Sequence, residues 1–259
     1  MMKYTTLLSG SAGNSVYIEG GRSKVLVDVG CSLKYLQKEL AKISVTPGEI
    51  DAILLTHEHN DHISGAAALA KKYAIPIYAS PLTWRALPFA ALLPPLLQRE
   101  FTYDLQIGDL TIDFFKTYHD AAQPVGMVVR HEKQSVGVMT DTGQVTDTML
   151  AALEGVCGLV LEANHSLSLL SSGPYPPFLK RRIAGQLGHL SNQQAADALS
   201  NIVGDQTQAV ILAHLSRTNN SEQVMFAELN QELDRLRACI GCQMTVAGQE
   251  RSHPLIELR

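Results

Sequence analysis

The stretch Leu55–Gly65, LTHEHNDHISG, places three histidines and one aspartate within six positions. The whole chain has nine histidines in 259 residues, so this one corner is strongly enriched. The residues before it, DAILLT (Asp51–Thr56), read as a buried strand; HISGAAALAKKY (His62–Tyr73) reads as a helix of small residues ended before Pro76. His57 and His59 are two apart, so in extended backbone their side chains point to one side. Asp61 and His62 open the helix and project from its first turn toward the same point. Two pairs of donors then face two adjacent positions. Neutral imidazole and carboxylate are suitable ligands for zinc, manganese or iron. Four residues cannot fill two metal sites, so further ligands must come from elsewhere.

Outward from this corner the chain alternates strands and helices. Lys3–Ser9, Ser15–Gly20 and Ser23–Gly30 read as strands separated by Gly-rich turns. Ser32–Ile43 reads as an amphipathic helix, with Leu33, Leu36, Leu40 and Ile43 at helical spacing and Ser32 as N-cap. The second half continues with strands at Leu110–His119, Gly126–His131, Gln134–Asp141, Gly158–Ala163 and Gln208–His214. Helices are expected at Val145–Leu153, Ser191–Val203 and Ser221–Ala238, and short strands QMTVA and PLIEL close the chain. The alternation predicts a layered α/β fold with helices outside, in one domain spanning 1–259.

The missing ligands are found at strand ends, where open α/β sheets place their sites. His57 follows AILLT, His119 follows IDFFKTY, Asp141 follows VGVMT and His214 follows VILA. A histidine-rich surface loop would not explain these partners. The seven residues His57, His59, Asp61, His62, His119, Asp141 and His214 supply three histidines to one metal, and an aspartate with two histidines to the other. Asp141 bridges in this scheme. A water or hydroxide between two metals is a nucleophile near neutral pH.

Hydrophobic residues make up 46% and charged residues 18%, ordinary for a globular protein with a sizeable core. The apolar run Ala86–Leu97 is too short for a membrane span and is broken by Pro88, Pro94 and Pro95. The N-terminal segment lacks a signal-peptide apolar region, so a cytoplasmic location with reduced cysteines is expected. Cys239 and Cys242 form a lone C-x-x-C with no second pair at zinc-ribbon spacing, and read as incidental. The net charge of −4 argues against a broad nucleic-acid footprint, although bound divalent metals would add local positive charge.

THEHNDH resembles the signature of the metallo-β-lactamase fold superfamily. The order Asp28, His57-x-His59-x-Asp61-His62, His119, Asp141, His214 resembles that superfamily's five motifs along nearly the whole chain. The resemblance implies a four-layer αββα sandwich with a dinuclear site at one edge, and Asp28 behind the ligands rather than among them. LLSGSAGNSVYIE, TDTGQVTD, LEANHSLSLL, GPYPPFLKRRI and GHLSNQQAADAL look like the YycJ/WalJ-like branch. Members of that branch are described as metal-dependent 5′-to-3′ exonucleases on double-stranded DNA, so DNA is the substrate the resemblance implies.

GHLSN (Gly188–Asn192) is similar to the Gly-His-x-Ser/Thr element of tRNA 3′-processing nucleases in this superfamily. By that similarity His189 meets the scissile phosphate and Glu162, ending GLVLE, orients it. An imidazolium there serves as an electrostatic or general-acid group. The catalytic set is thus Asp61, His189 and Glu162. Ser191 precedes a helix whose N–H groups would attract an anion. Lys180, Arg181 and Arg182 read either as phosphate-backbone contacts or as a solvated helix face. His165 lines the site or supports a ligand. SGSAGNS (Ser9–Ser15) lacks a P-loop ending and reads as a tight turn bordering the site, with Ser11 and Asn14 as substrate contacts. Trp84–Phe101 is the main irregular stretch and reads as a dimer contact, a packed lid or a buried loop. Residues that would stack on a DNA strand are not evident, and no clamping insertion or long arm is seen.

Fold does not fix substrate. Besides a nuclease on DNA ends, the same scaffold accommodates a small-molecule hydrolase: a cyclic phosphodiesterase, lactonase or thioesterase. A metal-bound regulatory protein without turnover is a third reading, disfavoured by the complete ligand set and the candidate acid.

Overall fold

The computed structural model describes residues 1–236, 241–249 and 251–259. Among these residues there are two seven-stranded sheets. The first runs β14-β1-β2-β3-β4-β5-β6, with β1 Met2–Leu8, β2 Ser15–Gly20, β3 Ser23–Val27, β4 Ala52–Leu54, β5 Ile77–Ala79, β6 Gln98–Glu100 and β14 Ile256–Glu257. The second runs β13-β12-β11-β10-β9-β8-β7, with β7 Asp104–Ile107, β8 Leu110–Lys116, β9 Val125–His131, β10 Gln134–Met139, β11 Gly158–Glu162, β12 Ala209–Ala213 and β13 Gln243–Val246. Each sheet is half antiparallel meander and half parallel: β3 to β6 run parallel, as do β10 to β13.

The layer order follows from alternation along the strands. Val25 and Val27 of β3, Leu54 of β4, Val160 of β11 and Ile211 of β12 meet in the apolar layer between the sheets. Their neighbours point the other way, as a period of two requires. Leu26 and Ile53 pack outward under helices α1 (Leu33–Lys42) and α3 (Ala66–Tyr73). Leu159, Leu161, Val210 and Leu212 pack under α5 (Asp147–Leu153), α8 (Asn192–Ile202) and α9 (Glu222–Leu236). The result is the αββα sandwich, helices outside and two sheets face to face. Among the described residues no helix is long and apolar enough to cross a membrane.

The expected helix His62–Tyr73 is broken in two. A single turn, α2 (Asn60–Ile63), is separated from α3 by Ser64 and Gly65. Gly65 donates its N–H to the Val29 carbonyl at 2.9 Å and lies against the Cys31 carbonyl, where a Cβ would overlap. This contact turns the chain and ties the histidine-rich corner to the end of β3. The irregular stretch Trp84–Phe101 begins in α4 (Pro81–Ala86), whose N-cap Ser80 accepts from the Thr83 N–H, and ends in β6. Trp84, Leu87, Leu93 and Leu97 join the outer core of the first sheet, so this stretch is packed, while Leu92 and Leu96 stay exposed. Two helices not expected from periodicity, α6 (Leu167–Ser172) and α7 (Pro177–Ile183), lie between β11 and the GHLSN motif. Cys239, and the end of the expected helix Ser221–Ala238, lie outside the described residues. Cys31, Cys157 and Cys242 are free thiols.

Candidate metal centre

The strands that precede the expected donors stop at one edge, and those donors, with Asp28, stand just past the strand ends. His214 directly follows β12, Asp28 directly follows β3, and His57, His119 and Asp141 lie two or three residues beyond β4, β8 and β10. Asp28, Asp141 and His214 all take left-handed backbone, with φ of 60°, 55° and 57°. That conformation is uncommon outside glycine and costs free energy, and it clusters where side chains must be aimed. Here it turns each strand end toward the shared edge.

Three imidazole nitrogens converge first. His59 Nδ1 lies 3.1 Å from His57 Nε2 and 3.2 Å from His119 Nε2. The far nitrogens settle the protons. His119 Nδ1–H donates to the Gly188 carbonyl at 3.0 Å, and a carbonyl only accepts. Thr56 Oγ1 gives its one proton to Asp28 Oδ2 at 2.7 Å, so His57 Nδ1–H donates to Thr56 Oγ1 at 2.9 Å. His57 Nε2 and His119 Nε2 therefore face His59 as bare lone pairs. Burial lowers the pKa of both rings, with the neighbouring His62 adding to the effect on His57. Two nitrogens bound to one tetrahedral ion at ~2.0–2.1 Å are roughly 3.3 Å apart, close to the spacing found here.

The second group is Asp61, His62 and His214, whose donor atoms also lie within 4.8 Å of one another. His62 Nδ1–H donates to Asp28 Oδ2 at 2.7 Å, leaving Nε2 to face Asp141 Oδ2 at 3.2 Å and Asp61 Oδ2 at 3.6 Å. Burial would lower His62 and His214. The surrounding carboxylates outweigh it: Asp141 and Asp28 raise His62 well above the ordinary value, and Asp141, Asp61 and Glu162 raise His214 to about 10. Asp141 shows the reciprocal effect. Burial opposes its ionisation, yet His214 and His62 hold it well below the usual carboxylate range. Asp141 sits between the groups, with Oδ1 3.7 Å from His119 Nε2. Asp141 Oδ2 and His214 Nε2 are buried without a hydrogen-bond partner. The bare lone pairs of His57 and His119, and carboxylates that draw protons onto His62 and His214, suit a divalent cation in place of those protons. The donor set, imidazole and carboxylate without thiolate, suits zinc, manganese or iron.

Glu162 is buried at the end of β11 and accepts four hydrogen bonds. Its Oε1 takes the Nδ1–H of His189 at 2.8 Å and of His214 at 2.9 Å. Its Oε2 takes the backbone N–H groups of Thr142 at 3.1 Å and Leu190 at 3.2 Å. Burial would raise this acid, but His189 and His214 bring it down to about 2. With its lone pairs engaged, Glu162 holds both rings by their rear nitrogens. His189 stands at the open side, 16% exposed, and lines the same small cavity as His59, Asp61, His119, Asp141 and His214.

The remaining expected residues divide. Ser11 and Arg182 line that cavity. Arg182 Nε donates to Asp120 Oδ2 at 2.6 Å, which leaves the other guanidinium nitrogens for an anion. Lys180 and Arg181 do not reach it: Lys180 donates to the Ser171 carbonyl, and both line a separate groove with Leu167 and Pro177. Successive residues of a helix point about 100° apart, which directs them away from Arg182. Asn14 is buried and serves the donors instead of facing the opening, its Nδ2 lying 3.3 Å from Asp61 Oδ2 and 3.1 Å from His62 Nε2. Ser191 is 1% exposed, and its hydroxyl is spent on a capping box with Gln194 at the start of α8, so the expected anion site there is closed by the chain itself. His165 is buried and outside the cavity lining, with neither ring nitrogen hydrogen-bonded.

Some contributors were not singled out from sequence. Thr56 bridges Asp28 to His57, and its place directly before the first histidine was the available signal. Ser9 accepts the His214 N–H at 2.7 Å, and Asn164 donates to the His214 carbonyl at 2.8 Å, fixing the left-handed turn. Neither carries a spacing that would announce it.

Residues 8–214 match the model of the metallo-beta-lactamase superfamily. The chain is 36% identical to the exodeoxyribonuclease WalJ of Streptococcus pneumoniae serotype 2 (strain D39 / NCTC 7466), over 99% of this chain and 98% of that protein. It is 35% identical to the exodeoxyribonuclease YycJ of Bacillus anthracis, over 90% of this chain and 89% of that protein. Among solved structures, the metallo-beta-lactamase fold protein YhfI from Bacillus subtilis superposes with a TM-score of 0.73 at 20% identity, covering 99% of this chain and all of that one.

Proposed function

The chain belongs to the metallo-beta-lactamase superfamily, within the group of the WalJ and YycJ proteins, and from that premise we propose that it is a metal-dependent exodeoxyribonuclease working from 5′ toward 3′ on duplex DNA. His57, His59 and His119 would hold one divalent ion, and Asp61, His62 and His214 a second, with Asp141 available to either. Zinc or manganese is the expected metal, with iron a third option. When bound, the metals supply Lewis acidity to a phosphate oxygen and to the attacking water.

The observation that carries this reading is His189 held by the doubly anchored Glu162 carboxylate. A carboxylate fixed by two backbone N–H groups points the free Nε2 of His189 into the cleft beside both donor groups. Held there, His189 meets the phosphate, stabilises its charge and delivers a proton to the leaving oxygen. Arg182 at the same cleft contributes a further cation. Asp28, Thr56 and Asn14 keep the ligand rings in the required tautomers. The reaction takes place within one domain, in the cytoplasm.

Metal content and reaction are tested together. Protein reconstituted with zinc or manganese is assayed for metal and incubated with duplex DNA labelled at one end, beside a His189→Ala variant. Stepwise loss from the 5′ end, slowed at least 100-fold in the variant with metal retained, is the expected result. Equal rates in both proteins discard the role of His189. No digestion by protein shown to hold two metals removes DNA as substrate and favours a small phosphodiester, which the net charge of −4 would suit.

A further inference from the structure

Beside the metal cleft lies a larger groove of about 660 Å³, within the size range of ligand pockets. It is lined by Tyr103, Phe114, Lys116, Tyr118 and Leu187, and it shares His119 with the cleft. The sharing follows from the chain path: β8 carries Phe114 and Lys116, and the same segment continues through Tyr118 to His119. Leu187, also in the lining, precedes His189 by two residues.

The aromatic faces are prepared. The Phe114 ring stacks on the buried Phe101 ring, with centroids 3.6 Å apart and planes 2° from parallel, which fixes its orientation. The Lys116 ammonium sits 4.7 Å over the Tyr118 ring. Tyr103 is 81% exposed at the rim, with Leu82 and Leu187 also exposed. Large apolar groups gathered at a cleft mouth mark a contact surface. An aromatic platform with a cation over the Tyr118 ring, opening onto the cleft that holds His189, matches a nucleotide: the base stacks on the rings, and Lys116, moved off Tyr118, draws the adjoining phosphate.

We propose that this groove is a base-stacking subsite that holds the nucleotide next to the scissile phosphate at the end of the DNA strand. The inference rests on the nuclease reading above and adds the substrate contact that sequence patterns left unmarked. Stacking tolerates any base, so the subsite positions a strand end without selecting sequence.

The test measures what the base contributes to binding. Metal-loaded protein binds a fluorescent duplex whose terminal linkages are phosphorothioates, resistant to cleavage. Its partner duplex carries an abasic site at the first or second nucleotide. In the unaltered protein, loss of the base weakens binding about tenfold. Tyr118→Ala and Tyr103→Ala bind the intact duplex more weakly and no longer distinguish it from the abasic one, while Tyr118→Phe, which keeps the ring, still does. Circular dichroism and metal content establish that each variant is folded and loaded. An abasic penalty equal in all the proteins overturns the subsite and leaves the nuclease standing. A chain that neither binds nor cuts duplex DNA in any form overturns both. An equal penalty on an RNA strand of the same sequence widens the occupant to nucleic-acid ends in general and keeps the stacking assignment.

Discussion

Glu162 Oε1 lies 2.8 Å from His189 Nδ1, and the same oxygen receives His214 Nδ1–H at 2.9 Å. One buried carboxylate thus orients both His189, at the open side of the cleft, and His214, in the second donor group. Glu162→Gln offers a single acceptor and turns an amide N–H₂ toward two donors. The expected outcome is loss of activity together with a 10- to 100-fold weaker metal affinity and about 1–3 kcal/mol of stability. Metal titration and denaturant unfolding check it. If only activity falls, Glu162 acts through His189 alone.

Asp28 presents a cleaner electrostatic case. Its carboxylate accepts from the Thr56 N–H at 2.9 Å, the Thr56 hydroxyl and His62 Nδ1–H, at a φ of 60°. Asparagine tolerates that backbone, so Asp28→Asn removes the charge and keeps the turn. Metal affinity is expected to fall 10- to 100-fold, with about 1–3 kcal/mol of stability lost where the amide N–H₂ meets a donor, whereas Asp28→Ala also strains the left-handed turn. Calorimetric titration of both variants separates the two effects.

His165 should give the metal-free protein an acid-sensitive component of stability. Burial lowers its pKa to about 4. In the unfolded chain it takes a proton near pH 6.5; the folded chain refuses one until about pH 4. The unfolded state therefore binds more protons between these values. The contribution is complete above about pH 6.5 and is lost as pH falls toward 4, by roughly 3 kcal/mol. Urea unfolding of chelator-treated protein across this window, beside His165→Gln, measures it. An equally steep decline in the variant assigns the effect elsewhere.

Gly30 marks a backbone crossing that no side chain can enter. A Cβ there would overlap the Asp61 carbonyl and lie 2.6 Å from the Asn14 nitrogen. Asn14 in turn donates its N–H to the Asp61 carbonyl at 2.8 Å, so the first loop and the metal corner are locked through this point. Gly30→Ala is expected to cost more than ~4 kcal/mol or to prevent folding. Gly204→Ala, at an open position, should stay within about 0.5 kcal/mol. Thermal melts of the two variants decide it.

Much of this was legible in the chain. Alternating or continuous apolar runs announced the long strands, because a side chain's face follows directly from its place in the strand. The seven candidate donors were readable for the same reason: each sits at a strand end or at the strand-to-helix corner, where local geometry fixes direction. Short strands such as Ile77–Ala79 and Gln98–Glu100 were not, since three residues carry no period. Nor was the break between α2 and α3, which depends on Gly65 meeting Val29 and Cys31 from a distant segment.

What the sequence alone determined was the inventory: layered α/β class, imidazole and carboxylate donors, and a histidine with its glutamate. The tertiary structure decided the division of labour. It sent Arg182 into the cleft and turned Lys180 and Arg181 away, committed Ser191 to a helix cap, set Asn14 against the candidate donors Asp61 and His62 and brought Phe114 and Tyr118 into a groove beside His119. The reason is physical. Residue type and local period set which chemistry is available and which way a strand residue points, whereas which lone pairs remain free depends on hydrogen bonds made across the fold.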